Sequence, residues 1–294
     1  MEVPPRPTIT PLGRSTEDPS VWFEHKAQAS LNVVVVGERR QEKATIRDVT
    51  FSGPSGERIA AYLVVPTFPG RYAGILYVHW LGDTTPNRRQ FLEEAVTLAQ
   101  QGAVSLLVDA LVARPDPRKQ WTGLDASADR QLVVQQVLEL RQSLDLLLAQ
   151  EGVDAERIGY VGHDLGGMFG AVLAGVDHRP RAFVFMATAP SFADWFLLDS
   201  SLEAEHQRAY RAEMMAVDPL RYLGRASPSS IFFQFANSDR YVSRSAAEAQ
   251  VEAAGEPKRA RWYESGHALH RDPVATLDRL EWLRQQLGME KPAS

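Results

Sequence analysis

Cysteine is absent from all 294 residues. Disulfides, thiolate metal sites and a cysteine nucleophile are therefore excluded, whatever compartment the chain occupies. Long apolar runs are absent as well: none approaches the roughly 20 residues needed to span a bilayer. No charged-apolar-small leader opens the chain, so the expected setting is soluble and cytoplasmic. A basic cluster is also missing. Lys and Arg number 32 against 37 Asp and Glu, a net charge of -5, which argues against nucleic acid or an anionic membrane and leaves a small-molecule substrate as the expected partner. No internal repeat is visible. His267 and His270 lack a second histidine-carboxylate pair at ligand spacing, so no metal or other cofactor is expected.

What the chain does have is apolar material for one large core. Hydrophobic residues make up 44%, in a length that α/β enzymes often use as a single domain. From Tyr72 onward strand-like and helix-like segments alternate. Ala73–His79, Ala103–Asp109, Arg157–Val161, Arg181–Ala187, Ser230–Ala236 and Arg261–Tyr263 are short runs suited to strands, and Asp129–Ala149 is a long amphipathic helix. The alternation predicts an α/β fold with a mostly parallel central sheet flanked by helices. Residues 1–44 read as a proline-rich arm followed by a short helix over Val21–Ala29, whose Trp22 and Phe23 dock either on the body or on the second subunit of a homodimer. Residues 45–290 read as the main domain.

The most informative segment is Tyr160-Val161-Gly162-His163-Asp164-Leu165-Gly166-Gly167-Met168-Phe169-Gly170. A side chain held at the apex of a sharp strand-to-helix turn needs minimal neighbours two residues either side. Gly162 and Gly166 supply them, and Gly167 lets the helix pack close on the strand. The apex residue is Asp164. A helix starting directly after it offers unpaired backbone N–H groups and a positive dipole end, which favour an ionised carboxylate. Downstream, Asp239 stands just past the strand Ser230–Ala236, and His267 just past the strand Arg261–Tyr263. Nucleophile, acid and histidine thus follow one another in the order that the α/β-hydrolase fold imposes, and all three leave the carboxyl ends of their strands, where open α/β sheets bind ligands. Upstream, the strand Ala73–His79 runs into Trp80-Leu81-Gly82-Asp83. The backbone N–H groups of Leu81 and Leu165 are the expected oxyanion donors.

Over roughly residues 45–288 the chain resembles the α/β-hydrolase superfamily. Val49-Thr50-Phe51, the run Gly56 to Pro66 and the His79 loop look like the dienelactone-hydrolase and acetyl-esterase branch. Gly162-His163-Asp164-Leu165-Gly166-Gly167 looks instead like epoxide hydrolases and haloalkane dehalogenases, which use aspartate. Trp80 departs from the glycine that most relatives carry there, and Leu165 from the tryptophan that binds halide in many aspartate enzymes. The superfamily inserts its cap between the strands Arg181–Ala187 and Ser230–Ala236. Here about forty residues separate them, which predicts a small lid over roughly 191–224: Phe192–Leu198 is too apolar for water, and Ser200–Met215 reads as a charged helix. Trp195, Phe196 and Tyr210 are the candidate roof of the pocket, with Trp80 and His163 as further substrate-lining candidates. An equal claim is that the roof residues are core or a dimer contact.

The residue at the apex sets the chemistry. A carboxylate attacking an ester would give an anhydride, whereas attack on an sp³ carbon bearing a halide or an epoxide oxygen gives a stable alkyl ester of the enzyme. His267, oriented by Asp239, would then activate water against that ester. Two alternatives stand beside this reading. Asp164 could act as general base in an esterase or lactonase of dienelactone-hydrolase type, or it could be a helix cap in a catalytically silent ligand-binding protein. Tyr210, Tyr222 and Tyr241 are available to protonate an epoxide oxygen, and none is singled out. Among basic residues, Arg88 and Arg89 (with Asp83) read as a salt-bridge cluster before a substrate-carboxylate site, Arg114 and Arg118 as weak substrate-binding candidates, and Asp109 as a loop anchor.

Overall fold

The computed structural model describes residues 18–27, 30–81, 87–114, 121–198 and 200–289. Its strands are Val34–Gln41 (β1), Ala44–Ser52 (β2), Arg58–Pro66 (β3), Tyr72–Val78 (β4), Ala103–Val108 (β5), Val153–His163 (β6), Ala182–Met186 (β7), Ser230–Ala236 (β8) and Lys258–Tyr263 (β9). The helices are Leu92–Ala99 (α1), Ala126–Leu148 (α2), Leu165–Val176 (α3), Phe192–Phe196 (α4), Ala204–Met214 (α5), Pro219–Leu223 (α6), Arg244–Ala253 (α7) and Pro273–Gln286 (α8).

All nine strands form one sheet in the order β1-β2-β3-β5-β4-β6-β7-β8-β9. β1, β2 and β3 pair antiparallel, as does β3 with β5, and the remaining pairings are parallel. Successive side chains of a strand point to opposite faces, and in the parallel half both faces are covered. Leu76, Tyr160, Phe183, Phe185 and Phe233 enter the core beneath α2, α3 and α6. Ile75, Tyr77, Val161, Val184 and Phe232 enter the core beneath α1 and α8. Burial on both sides is why these strands read as continuous apolar runs rather than alternating ones. On the second face, fully buried Arg279 of α8 donates to Glu94 of α1 through Nε (2.9 Å) and a terminal nitrogen (2.6 Å), which ties the two helices together.

Among the described residues 18–27 and 30–44, the chain differs from the arm that the sequence predicts. β1 belongs to the sheet although every one of its residues is exposed; Val33–Val36 favour extended backbone, and main-chain pairing with β2 holds the strand where no side chain is buried. Nor do the described residues 21–27 form the helix expected over Val21–Ala29. A single 3-10 turn over Pro19–Phe23, capped by the Asp18 carboxylate accepting from the Ser20 N–H at 3.1 Å, carries Phe23 into the body, edge-on to Tyr222 at 5.6 Å. His25 closes on Asp145 of α2 at 2.6 Å.

Candidate active site

β6 delivers Asp164 at the apex of a turn with φ 55 and ψ -121, a left-handed conformation that a side-chain-bearing residue adopts only where the surroundings impose it. They impose it through backbone contact. A Cβ on Gly162 would collide with the Gly166 carbonyl, and one on Gly166 with the Val78 carbonyl. The turn is further pinned by the Asp164 N–H donating to the Met186 carbonyl at 2.8 Å. Asp164 is buried, with 2% of its surface exposed.

The acid and the histidine come from the ends of β8 and β9. Asp239 accepts the N–H groups of Tyr241 (2.8 Å) and Val242 (3.1 Å) on Oδ1, which aims its carboxylate at His267. His267 Nδ1 lies 2.9 Å from Asp239 Oδ2 and 3.0 Å from Oδ1. A carboxylate only accepts, so Nδ1 carries the proton. His267 Nε2 then faces Asp164 Oδ1 at 3.8 Å, an ion-pair distance beyond a hydrogen bond, and neither atom has another hydrogen-bond partner in the structure. Asp194, the other carboxylate of the region, pairs with Arg211 at 2.8 Å.

Charges in this cluster act against burial. Desolvation pushes the Asp164 carboxyl above its ordinary range, opposed by His267 and by the nearby backbone N–H groups of Leu81 and Leu165. For His267 burial favours the neutral ring, and the two flanking carboxylates more than reverse that, raising its pKa to about 9. Asp239 is likewise opposed by burial but held below its ordinary value by His267 and its backbone donors. At neutral pH His267 is thus held as an imidazolium with Asp239 ionised beside it.

Aromatic rings enclose His267. Trp195 stacks on it (5.8 Å, 21°), Tyr241 meets it edge-on (5.0 Å), and Trp80 lies 5.8 Å away. Of the sequence-based substrate candidates, Trp80 and Trp195 therefore stand at the imidazole, and Tyr241 joins them as the tyrosine of the three that touches it. The other three candidates have different roles. Phe196 is buried in the core, stacked on Trp121 at 4.9 Å. Tyr210 is buried with its hydroxyl donating to Asp129 Oδ2 at 2.7 Å, because α5 packs its apolar side on α2 rather than over the strand ends. His163 is fully buried with both ring nitrogens engaged, Nδ1 with Gln90 and Nε2 with the His267 carbonyl, each at 2.8 Å. Tyr222 likewise spends its hydroxyl on the Ala216 carbonyl.

Two of the basic residues form ion pairs, and Arg89 donates to the Tyr62 hydroxyl at 3.4 Å. Arg88 binds Asp109 and Asp48, and Arg114 binds Glu139; Asp83 and Arg118 lie outside the described residues. Among the described residues no group of three or more His, Cys, Asp or Glu side chains could hold a metal ion, and no helix is long and apolar enough to cross a membrane. Gln90 is the functional-region residue that sequence reasoning missed. It lies in an irregular turn with no motif around it.

No family model matches the sequence, and no curated protein matches it. Solved structures do share its architecture. An acetyl xylan esterase from Paenibacillus sp. R4 superposes with a TM-score of 0.74 at 18% identity, over 92% of this chain and 98% of that one. Acetyl xylan esterase 1 from Thermoanaerobacterium sp. JW/SL YS485 gives 0.69 at 18%, over 86% and 88%. A cold-adapted esterase from an Arctic intertidal metagenomic library gives 0.59 at 15%, over 85% and 97%. At such identities the likeness is one of fold, and with the strand order above it makes this an α/β-hydrolase fold.

Proposed function

We propose that the protein is a hydrolase that opens a small epoxide-type substrate through an alkyl ester of Asp164, with His267 and Asp239 handling protons. The observation that carries this is the elbow geometry: a carboxylate at the strained apex, its Oδ1 3.8 Å from His267 Nε2. In the first step Asp164 forms a C–O bond to one epoxide carbon as the ring C–O bond breaks, and the alkoxide takes the Nε2 proton of His267. In the second the now neutral imidazole accepts a proton from water, and hydroxide adds to the ester carbonyl of Asp164. The alcohol leaves with a proton from His267, and the regenerated carboxyl returns one to the imidazole. Epoxide plus water gives diol, and the protein ends as it began.

Two physical points favour an epoxide over a halide and over an ester. An imidazolium at rest suits a leaving oxygen that must be protonated, which a halide need not be. Esterification also removes the Asp164 charge that helps hold His267 protonated, so the first step itself frees the base needed for the second. As for esters, the Leu81 and Leu165 N–H groups lie near enough to the Asp164 carboxylate to favour its charged form, where they would stabilise an oxyanion formed on the protein rather than on a substrate.

The second reading, an esterase or lactonase with Asp164 as general base, is favoured by the acetyl xylan esterase neighbours. One experiment separates the two. His267→Gln protein incubated with styrene oxide should form one adduct, on the peptide containing Asp164, more slowly than wild type for want of the acid, and should then retain it because no base remains to resolve it; wild-type single turnover in heavy-oxygen water should place the isotope in the Asp164 carboxylate. Absence of the adduct, with isotope entering the product directly from nitrophenyl acetate hydrolysis, would establish the general-base reading.

A further inference from the structure

The proposed reaction needs two loops in register, the one after β4 that presents the Leu81 N–H and the one after β9 that presents His267. A single chain of hydrogen bonds joins them. The backbone N–H of Trp80 donates to Gln90 Oε1 at 2.8 Å. That orients the amide, so Gln90 Nε2 is the donor to His163 Nδ1 at 2.8 Å. An accepting Nδ1 carries no proton, so the proton of neutral His163 is on Nε2, which donates to the His267 carbonyl at 2.8 Å. Each role follows from the one before, and the chain has one sense only.

We infer that Gln90 and His163 are positioning residues that lock the oxyanion-donor loop to the loop carrying the base, an inference that rests on Asp164 and His267 being the reacting pair. Stacking completes the lock. Trp80 lies parallel to the His163 ring at 4.8 Å and 11°, which prevents the ring from turning. Trp80 is in turn held through its carbonyl, which accepts from His79 Nδ1 at 2.8 Å, while His79 Nε2 accepts the Ala110 N–H at 3.0 Å. The brace works only with His163 neutral, since a proton on Nδ1 would face the Gln90 amide N–H. Burial and the neighbouring imidazolium of His267 keep it neutral by holding its pKa well below the ordinary range. His163 and His267 lie 5.6 Å apart ring to ring, and they divide the work: one carries the proton traffic, the other holds the first in place.

Gln90→Leu and His163→Phe delete the polar links while keeping volume and, in the second, the stack on Trp80; His163→Gln retains a donor toward the His267 carbonyl. The first readout needs no substrate: the downfield proton resonance of His267 Nδ1–H should shift and exchange faster with solvent in Gln90→Leu and His163→Phe than in wild type. The second uses styrene oxide. Resolution of the Asp164 ester, which needs both the base and the Leu81 donor, should slow by roughly a hundredfold, the scale of a misplacement of about 1 Å. Ester formation should slow much less, and His163→Gln should recover most of the loss. An unmoved resonance in folded Gln90→Leu protein overturns the inference. So do formation and resolution slowed equally, or His163→Gln as slow as His163→Phe. Should His163→Phe not fold, Gln90→Leu alone decides, because Gln90 is half-buried in a turn. Should wild type form no ester with styrene oxide, the proposed reaction fails while the resonance still tests the brace.

Discussion

The turn after β6 and the segment between β7 and β8 both send side chains to His267, but different forces hold them. The turn is fixed by close backbone approaches, of Gly162 to the Gly166 carbonyl and of Gly166 to the Val78 carbonyl: without those two glycines the backbone of β6, α3 and β4 could not approach as it does. The segment between β7 and β8 is fixed by what it packs against. α4 is capped from a distance by Asp218, which accepts the Phe192 N–H at 2.8 Å, and α5 is anchored through Tyr210 on Asp129 and Arg130 on Glu213. Among the described aromatic residues of this segment, Trp195 is the one that stacks on the imidazole. Local sterics place a reacting atom to a fraction of an ångström, whereas packing places a wall whose members are interchangeable with core.

The sharpest break of that comparison is at Asp164. Asp164→Asn keeps shape and removes charge, and should abolish ester formation in the mass assay once deamidation back to aspartate is excluded. Asp164→Ser, in the same turn with the same donors, should gain hydrolysis of nitrophenyl acetate while losing reaction with styrene oxide. Full native activity in Asp164→Asn would reduce the turn to a helix start. Gly166→Ala should be next in size. Its Cβ meets backbone rather than a movable side chain, so the denaturation midpoint should report a loss of about 3 kcal/mol or more, against near neutrality if the turn can relax.

The pH dependence of stability tests the charge cluster. His267 has a folded-state pKa of about 9 against an ordinary 6.5. Its contribution is therefore fully present below 6.5 and is lost as pH rises through 9. Denaturation midpoints of wild type should decline across that window and those of His267→Gln should be flatter; parallel curves would remove His267 from the cluster. Ester formation should fall over the same window, since the acid for the leaving oxygen is lost.

On the lid side the effects are smaller. Tyr210→Phe should lower stability by about 1.5–3 kcal/mol through loss of a hydrogen bond to a carboxylate and leave ester formation unchanged; a change in that rate would return Tyr210 to the pocket. Trp195→Ala should change stability by about 1 kcal/mol, with a larger effect on styrene oxide reaction than on folding.

The amino-acid order alone determined the strand-helix alternation, the glycine-flanked apex at Asp164, and the sequence of Asp164, Asp239 and His267 at strand ends, because each of these rests on contacts within a few residues or on the direction in which a strand delivers its last side chain. It could not decide which aromatic rings face His267. Phe196 and Trp195 are neighbours of the same type on a short helix, and only the packing of α4 against Trp121 turns one inward and the other to the imidazole. Nor could it find Gln90, 73 residues from His163, or foresee that His163 and His267, both removed from water, would differ in charge. That difference comes from what each ring nitrogen meets, an amide and a carbonyl in one case and two carboxylates in the other, and those partners are brought together only by the fold.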